Sequence, residues 1–172
     1  YHSYSNLLIY PYGYEYENSA PEEDIEIFIE YGENMVQYND YELGTGTELL
    51  YAVNGEACDW MYGEKNIFSY TPEIGNNNDG FWPETSRILP LAEENLYPNK
   101  FLALVAGSKY QVDISVGDGP FTSDSNYPLN ISVFNQGLGD SNAEVVVEII
   151  SSGNIVFELD ENNDDANTTD DP

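Results

Sequence analysis

The pattern of apolar and polar positions predicts a region of sheet and helices in the first part of the chain. A continuous apolar and aromatic run over residues 7–14, broken by Pro11 and Gly13, indicates a buried strand that leaves a sheet in a turn. Over residues 21–38 the apolar residues recur at helical spacing, which predicts a helix with one face packed on a sheet. Ser19 can cap this helix, and acidic residues fill its first turn.

The segments that follow this helix predict a loop, a strand and a second helical stretch. Residues 41–50 contain alternating glycine and threonine and predict a loop. Residues 67–73 are β-prone and aromatic, so they predict a strand that ends at Glu73. Residues 83–107 predict a helical stretch, and Pro90 and Pro98, which interrupt it, predict a break near Tyr97.

Beyond Lys109 the period changes to strict alternation, which is typical of half-buried antiparallel strands. Four such strands are predicted, at residues 110–116, 129–133, 145–149 and 154–159. Four strands are fewer than a closed sandwich needs, so we expect a partial β-sandwich of the immunoglobulin-like kind at 110–159. Residues 160–172 hold no large apolar side chain and predict a disordered acidic tail.

Charge and composition narrow the classes of partner. Four Lys and Arg residues face 32 Asp and Glu residues, and the net charge of −28 makes nucleic acid an unfavourable partner. No segment has the length and apolar character of a membrane span. Cys58 is the only cysteine, which excludes a disulfide within the chain. The acidic balance suits a secreted or cell-surface protein in an extracellular setting.

The candidate chemistry lies in residues 51–73. Tyr51 is followed by a tight glycine turn, by the pair Asp59-Trp60, and by Glu73 at the end of its predicted strand. Taken alone, a glutamate in so acidic a chain indicates only a solvated carboxylate. Its place in this series indicates an active site.

This series resembles the second half of the catalytic domain of the zinc carboxypeptidases. Tyr51 precedes Asp59 by eight residues and Trp60 precedes Glu73 by thirteen, as in that family. The N-terminal segment 2–14, which begins with His2, is similar to the family's third zinc ligand and the strand after it. The resemblance covers residues 1–109.

The resemblance implies a fold and a set of roles. The fold class is α/β: residues 1–109 form the C-terminal part of a mixed-sheet catalytic domain, ahead of the β-rich segment. His2 is a ligand of Zn²⁺, Glu73 is the catalytic general base, and Tyr51 closes over the C-terminal end of the substrate. The Ser3-Tyr4 and Pro11-Tyr12 peptide bonds are cis in the family.

The resemblance also implies a specificity pocket between the capping tyrosine and the Asp-Trp pair. Val53, Glu56 and Cys58 are its substrate-binding residues. Cys58 stands where an acid marks enzymes that prefer Lys or Arg, and a small apolar thiol there favours apolar C-terminal residues. Because Glu56 can pair with a basic side chain, we expect mixed specificity.

The leading hypothesis is a fragment of a secreted metallocarboxypeptidase that acts on peptide or protein C-termini, as a monomer when full-length. This chain lacks the family's His and Glu ligand pair and its carboxylate-binding arginines, which lie before the third zinc ligand. His2 is the sole histidine, and Arg87 comes after His2. We expect the fragment alone to be inactive. Two other hypotheses are a non-catalytic carboxypeptidase-like binding or adhesion module and a calcium-binding acidic protein, although residues 76–80 lack a full calcium-loop pattern.

Overall fold

The computed structural model describes residues 1–117, 129–139, 146–151 and 154–160. The chain divides into two compact units, Tyr1–Ala106 and Gly107–Pro172. Among the described residues, no helix combines the length and the apolar character that crossing a membrane requires.

The first unit contains a mixed three-stranded sheet. Its central strand β1, Leu7–Tyr10, is buried at all four positions. Strand β2, Glu42–Thr45, pairs with one edge of β1 in parallel, and strand β3, Thr71–Glu73, pairs with the other edge in antiparallel. A mixed sheet covered by helices confirms the predicted α/β class. The predicted strand at 67–73 is shorter than expected, since only its last three residues pair.

Five α-helices and a 3₁₀ turn are described in this unit. They are α1 at Glu22–Val36, α2 at Gly46–Leu49, α3 at Ala57–Lys65, the 3₁₀ turn at Thr85–Arg87, α4 at Ile88–Glu94 and α5 at Leu96–Val105. The break in the last predicted helical stretch falls at Asn95, beside the expected position. Pro90 and Pro98 are each the third residue of a helix, where the first turn tolerates proline.

An aromatic core joins the sheet to its helices. Phe28 of α1 is fully buried, stacks on Tyr10 with ring centroids 5.6 Å apart, and meets Tyr62 of α3 edge-on at 5.0 Å. A second buried cluster joins Leu8 of β1 to α1 and to Phe101 of α5. Aromatic pairs at these distances contribute about 0.5–1.5 kcal/mol each beyond their buried area. The packing thus places α1, α3 and α5 around β1.

One sequence-based assignment in the first unit is wrong, and one helix was not predicted. Residues 41–50 are not a loop but contain β2 and the short helix α2. Leu43 explains the difference, because it packs into both core clusters and holds β2 in the sheet despite the neighbouring Gly44. Helix α3 was not predicted, since its apolar periodicity is weak and the polar Asp59 is one of its buried residues.

The second unit contains the four predicted strands as two antiparallel pairs. Strand β4, Tyr110–Val116, pairs with β5, Leu129–Asn135, and strand β6, Val146–Ser151, pairs with β7, Asn154–Asp160. The expectation that these strands are half-buried is wrong for β4, where Ile114 is 65% exposed. The register places its apolar side chains opposite those of β5 on one face of a sheet only two strands wide. The predicted tail beyond Asp160 lies outside the described residues.

Candidate active site

The end of β3 and the N-terminal segment bring His2 and Glu73 together. The backbone N–H of His2 donates to the carbonyl of Pro72 at 2.9 Å, and the N–H of Ile74 donates to the carbonyl of His2 at 2.9 Å. In this arrangement the His2 Nδ1 atom lies 3.1 Å from the Glu73 Oε2 atom. The backbone pairing thereby fixes where both side chains begin.

The two side chains of this pair differ in exposure. The His2 imidazole is 68% exposed, whereas the Glu73 side chain is 12% exposed. A mostly buried carboxylate with one free face can accept a proton from a water molecule, and an exposed imidazole can bind a metal ion. The pair therefore places a group able to accept a proton within hydrogen-bonding distance of a group able to bind a metal ion.

The Ser3-Tyr4 and Pro11-Tyr12 peptide bonds in the adjoining segment are both cis, as expected. They flank the run from which β1 is formed.

A second group of polar side chains lies at the start of α3. The Asp59 carboxylate accepts two contacts from the Gly13 N–H, at 3.1 and 3.2 Å, and the Cys58 thiol donates to Glu56 Oε2 at 3.6 Å. One donor atom from each of Glu56, Cys58 and Asp59 lies within 4.8 Å of the others. Asp59 is 8% exposed and Cys58 is 1% exposed. This group will be called the α3 acid cluster.

The electrostatics of the α3 acid cluster argue against a metal site. Burial, together with the smaller effect of the nearby carboxylates, raises the pKa of the Cys58 thiol to about 12. A thiol that keeps its proton is a poor metal ligand. Burial raises the pKa of Asp59 as well, while the Gly13 N–H opposes that effect.

Glu56 connects this cluster to the His2–Glu73 pair. Burial raises the pKa of Glu56, and the charge of Asp59 raises it further. The charge of Glu73 also raises this pKa, whereas His2 lowers it. Glu56 is therefore within electrostatic reach of both members of the pair. The structure brings four of the six predicted site residues into one region: His2, Glu56, Cys58 and Glu73.

The other two predicted site residues stand on the segment before α3. Val53 is held by its backbone N–H, which donates to the Gly13 carbonyl at 2.9 Å. The Tyr51 side chain is 67% exposed, and within the described residues its ring forms no hydrogen bond or ring contact. The structure thus leaves Tyr51 free of the His2–Glu73 pair.

Sequence reasoning missed three residues near the site. Gly13 binds Asp59 and Val53 through its backbone, and a Cβ added there would lie 2.7 Å from Glu56 Oε2. Its place directly after an apolar run was the available signal. Asp79 and Arg87 form an ion pair behind the end of β3, with Arg87 Nε 2.6 Å from Asp79 Oδ1. No local pattern marks that pair.

Comparison with known proteins identifies relatives for the first unit. The family model described as zinc carboxypeptidase matches residues 1–98. A zinc carboxypeptidase from Saccharothrix mutabilis subsp. capreolus is 32% identical over 99 residues, which cover 55% of this chain and 23% of that protein. Carboxypeptidase A1 from Mus musculus is 31% identical over 97 residues, which cover 54% of this chain and 23% of that protein.

A solved structure is also similar to the first unit of this chain. The crystal structure of thrombin activatable fibrinolysis inhibitor aligns with a TM-score of 0.50 at 30% identity, over 59% of this chain and 27% of that one. The chain thus spans about a quarter of the length of these relatives.

Proposed function

The chain belongs to the zinc carboxypeptidase family, and we propose that it is the C-terminal part of the catalytic domain of a metallocarboxypeptidase. The observation that carries this proposal is the contact of His2 Nδ1 with Glu73 Oε2 at 3.1 Å. In the complete protein, the enzyme removes C-terminal residues from peptides or proteins.

The residues present fit one part of a zinc site. A catalytic zinc site takes three protein ligands and one open position, and this chain holds a single histidine. His2 suits the role of one ligand, because its imidazole is exposed and stands beside a carboxylate. The remaining ligands come from the part of the domain that this chain does not span.

Glu73 acts as the general base of the reaction. When bound, zinc lowers the pKa of its water and polarises the scissile carbonyl. The Glu73 carboxylate accepts a proton from the attacking water and later delivers it to the leaving amine. Its partial burial keeps bulk water from competing for that proton. Tyr51 closes over the C-terminal end of the substrate. Its exposed side chain suits this role, because within the described part of the chain no hydrogen bond or ring contact holds it in place.

The region at the start of α3 receives the terminal side chain of the substrate. Val53 supplies apolar surface to this pocket and Glu56 supplies one half-buried carboxylate, while the buried Cys58 thiol supports Glu56 through its contact with Oε2. Cys58 remains a neutral thiol at physiological pH. A carboxylate that is partly removed from water gains from a cationic partner, so the pocket accepts apolar terminal residues and tolerates basic ones.

The second unit is a separate module in this proposal. Its two antiparallel pairs belong to a partial β-sandwich appended to the catalytic domain, and the exposed apolar face of the β4–β5 pair needs a covering layer. The net charge of −28 suits an extracellular location for the whole protein, which works as a monomer.

The test uses the complete protein and one peptide in two forms. With a free C-terminal carboxylate, the peptide should lose its last residue, and chelation of the metal should stop the reaction. The same peptide with a C-terminal amide is the matched control, and it should remain intact. Cleavage at internal bonds, or equal cleavage of both forms, would contradict the proposal.

A further inference from the structure

The turn that follows Glu73 is fastened to the segment that carries His2. The Gly75 carbonyl accepts hydrogen bonds from the backbone N–H groups of Ser5 at 2.8 Å and Asn6 at 2.9 Å. Gly75 is two residues beyond Glu73, and Ser5 is three beyond His2. The direction in which β3 ends, relative to His2, therefore depends on where Gly75 is held.

The ion pair between Asp79 and Arg87 holds this turn in place. Arg87 Nε and Nη2 donate to Asp79 Oδ1 at 2.6 Å and Oδ2 at 3.0 Å, and the Asn76 N–H also donates to Asp79 Oδ2 at 3.0 Å. The Asp79 side chain is 4% exposed and that of Arg87 is 37% exposed. Asp79 Cβ lies 3.1 Å from where a Cβ on Gly75 would stand, so the carboxylate side chain rests on that residue.

A second set of polar groups lies within electrostatic reach of Arg87. The Tyr41 hydroxyl donates to Glu94 Oε1 at 2.7 Å and accepts from Asn95 Nδ2 at 3.1 Å. Tyr41 and Asn95 are buried. Asp79 raises the pKa of Arg87 most strongly, and the charges of Glu94 and Tyr41 raise it further. Arg87 therefore pairs directly with Asp79 and lies within electrostatic reach of Glu94 and Tyr41.

We propose that Asp79 and Arg87 are positioning residues for Glu73: their two-pronged ion pair fixes the turn at residues 75–80, and Gly75 transmits that position to the base. The inference rests on the proposed function, since it assigns Glu73 the role of base. Two parallel N–H···O contacts from a planar guanidinium fix direction as well as distance, which a single contact does not. Misplacing a catalytic group by about 1 Å can cost roughly a hundredfold in rate.

The pair works at any pH at which a peptidase of this kind operates. Arg87 lowers the pKa of Asp79 to about 2. A lowered carboxyl pKa gives a stabilising contribution that is present above the unfolded value, near 3.9, and is lost only as the pH falls toward 2. The pair therefore remains ionised at neutral pH, and its removal should lower the rate equally across that range.

The experiment compares Arg87→Ala, Arg87→Lys, Asp79→Ala, the double variant and one control variant in the complete, metal-loaded protein. Arg87→Ala should lower kcat by roughly ten- to a hundredfold with KM within about twofold, because the base is misdirected while the pocket is unchanged. Arg87→Lys keeps the positive charge but cannot donate the two parallel hydrogen bonds of a guanidinium, so it should recover only part of the lost kcat. Lys100→Ala, which removes an exposed cation on α5, is the control and should keep the kcat of the wild type.

Zinc content and thermal unfolding are measured on the same samples. The double variant Asp79→Ala/Arg87→Ala should be no slower than either single variant, since each removes the same pair. A folded, zinc-replete Arg87→Ala protein with wild-type kcat would overturn the inference, even if its melting temperature had dropped. If Arg87→Ala does not fold, a wild-type kcat in folded Arg87→Lys overturns it in the same way. Wild-type protein that releases no C-terminal residue would instead refute the proposed function.

Discussion

The Nδ1 atom of His2 lies 3.1 Å from the Oε2 atom of Glu73, although 71 residues separate them in the chain. The contact arises because His2 forms a parallel bridge with Glu73 at the end of β3. Backbone pairing therefore sets the distance between the proposed metal ligand and the proposed base. A site built on sheet geometry holds its groups more exactly than one built on loops alone.

Replacement of the base by its amide tests the role of Glu73. Glu73→Gln preserves the size of the side chain but cannot accept a proton from water. In the complete protein, we expect zinc to be retained and kcat to fall by about a hundred- to ten-thousandfold. Steady-state kinetics and metal analysis on one sample check both parts. A Glu73→Gln enzyme with near-normal turnover would rule out the base assignment.

The chain by itself should bind zinc weakly. It offers His2 as the single imidazole, and metal affinity depends on a complete and oriented ligand set. Isothermal calorimetry of this chain should show no tight stoichiometric zinc site, and His2→Ala should leave the trace unchanged. The α3 acid cluster provides a second check, because its protonated thiol makes it a poor site. Tight binding at a ratio of one zinc per chain would contradict this expectation.

The packing of α1 on β2 predicts the cost of a small substitution. A Cβ added to Gly32 would lie 2.4 and 2.7 Å from the two methyl carbons of Leu43. Gly32→Ala gains about 1 kcal/mol of helix propensity, whereas overpacking costs about 1–3 kcal/mol, so the net effect should be destabilising. Chemical unfolding of the complete protein checks this, with Glu33→Ala at the exposed neighbouring position as control. Equal or greater stability of Gly32→Ala would mean that β2 and α1 do not pack closely.

The elements that were predicted correctly are those with a local sequence pattern, and the elements that were missed depend on contacts between distant parts of the chain. The buried strand β1, helix α1 and the four later strands carry their own periodic patterns and were predicted from the sequence. Strand β2 was not, because Gly44 and the adjoining Gly46 indicate a loop, and only pairing with β1 and the packing of Leu43 make residues 42–45 a strand. Local propensity loses to tertiary contacts in such segments.

The same distinction holds in the candidate site. His2 and Glu73 were identified through their order in the chain and its resemblance to a family. Gly13 contacts Asp59, and Asp79 pairs with Arg87. Both contacts depend on the three-dimensional path of turns, which a periodic sequence pattern does not predict. Polar contacts between loops therefore had to come from the structure.

The side-chain preference of the pocket can be tested at Glu56. Glu56→Gln removes the charge but keeps the shape, so a substrate ending in Lys should lose a favourable partner while one ending in Phe should not. For a half-buried ion pair we expect about 1 kcal/mol, or about a fivefold fall in the Lys-to-Phe ratio of kcat/KM. Paired substrates that differ only in the last residue give this ratio. An unchanged ratio would leave a purely apolar pocket.

The pH dependence of that ratio gives a separate test of Glu56. Burial and Asp59 raise its pKa, so it takes up a proton at a higher pH than an ordinary glutamate, whose pKa is near 4.3. Above the raised pKa the carboxylate is charged and favours Lys, and as the pH falls through that value the preference for Lys should disappear. Any effect that slows both substrates alike cancels in the ratio. In Glu56→Gln the ratio should be flat with pH, and a wild-type ratio that is equally flat would show that Glu56 does not face the substrate.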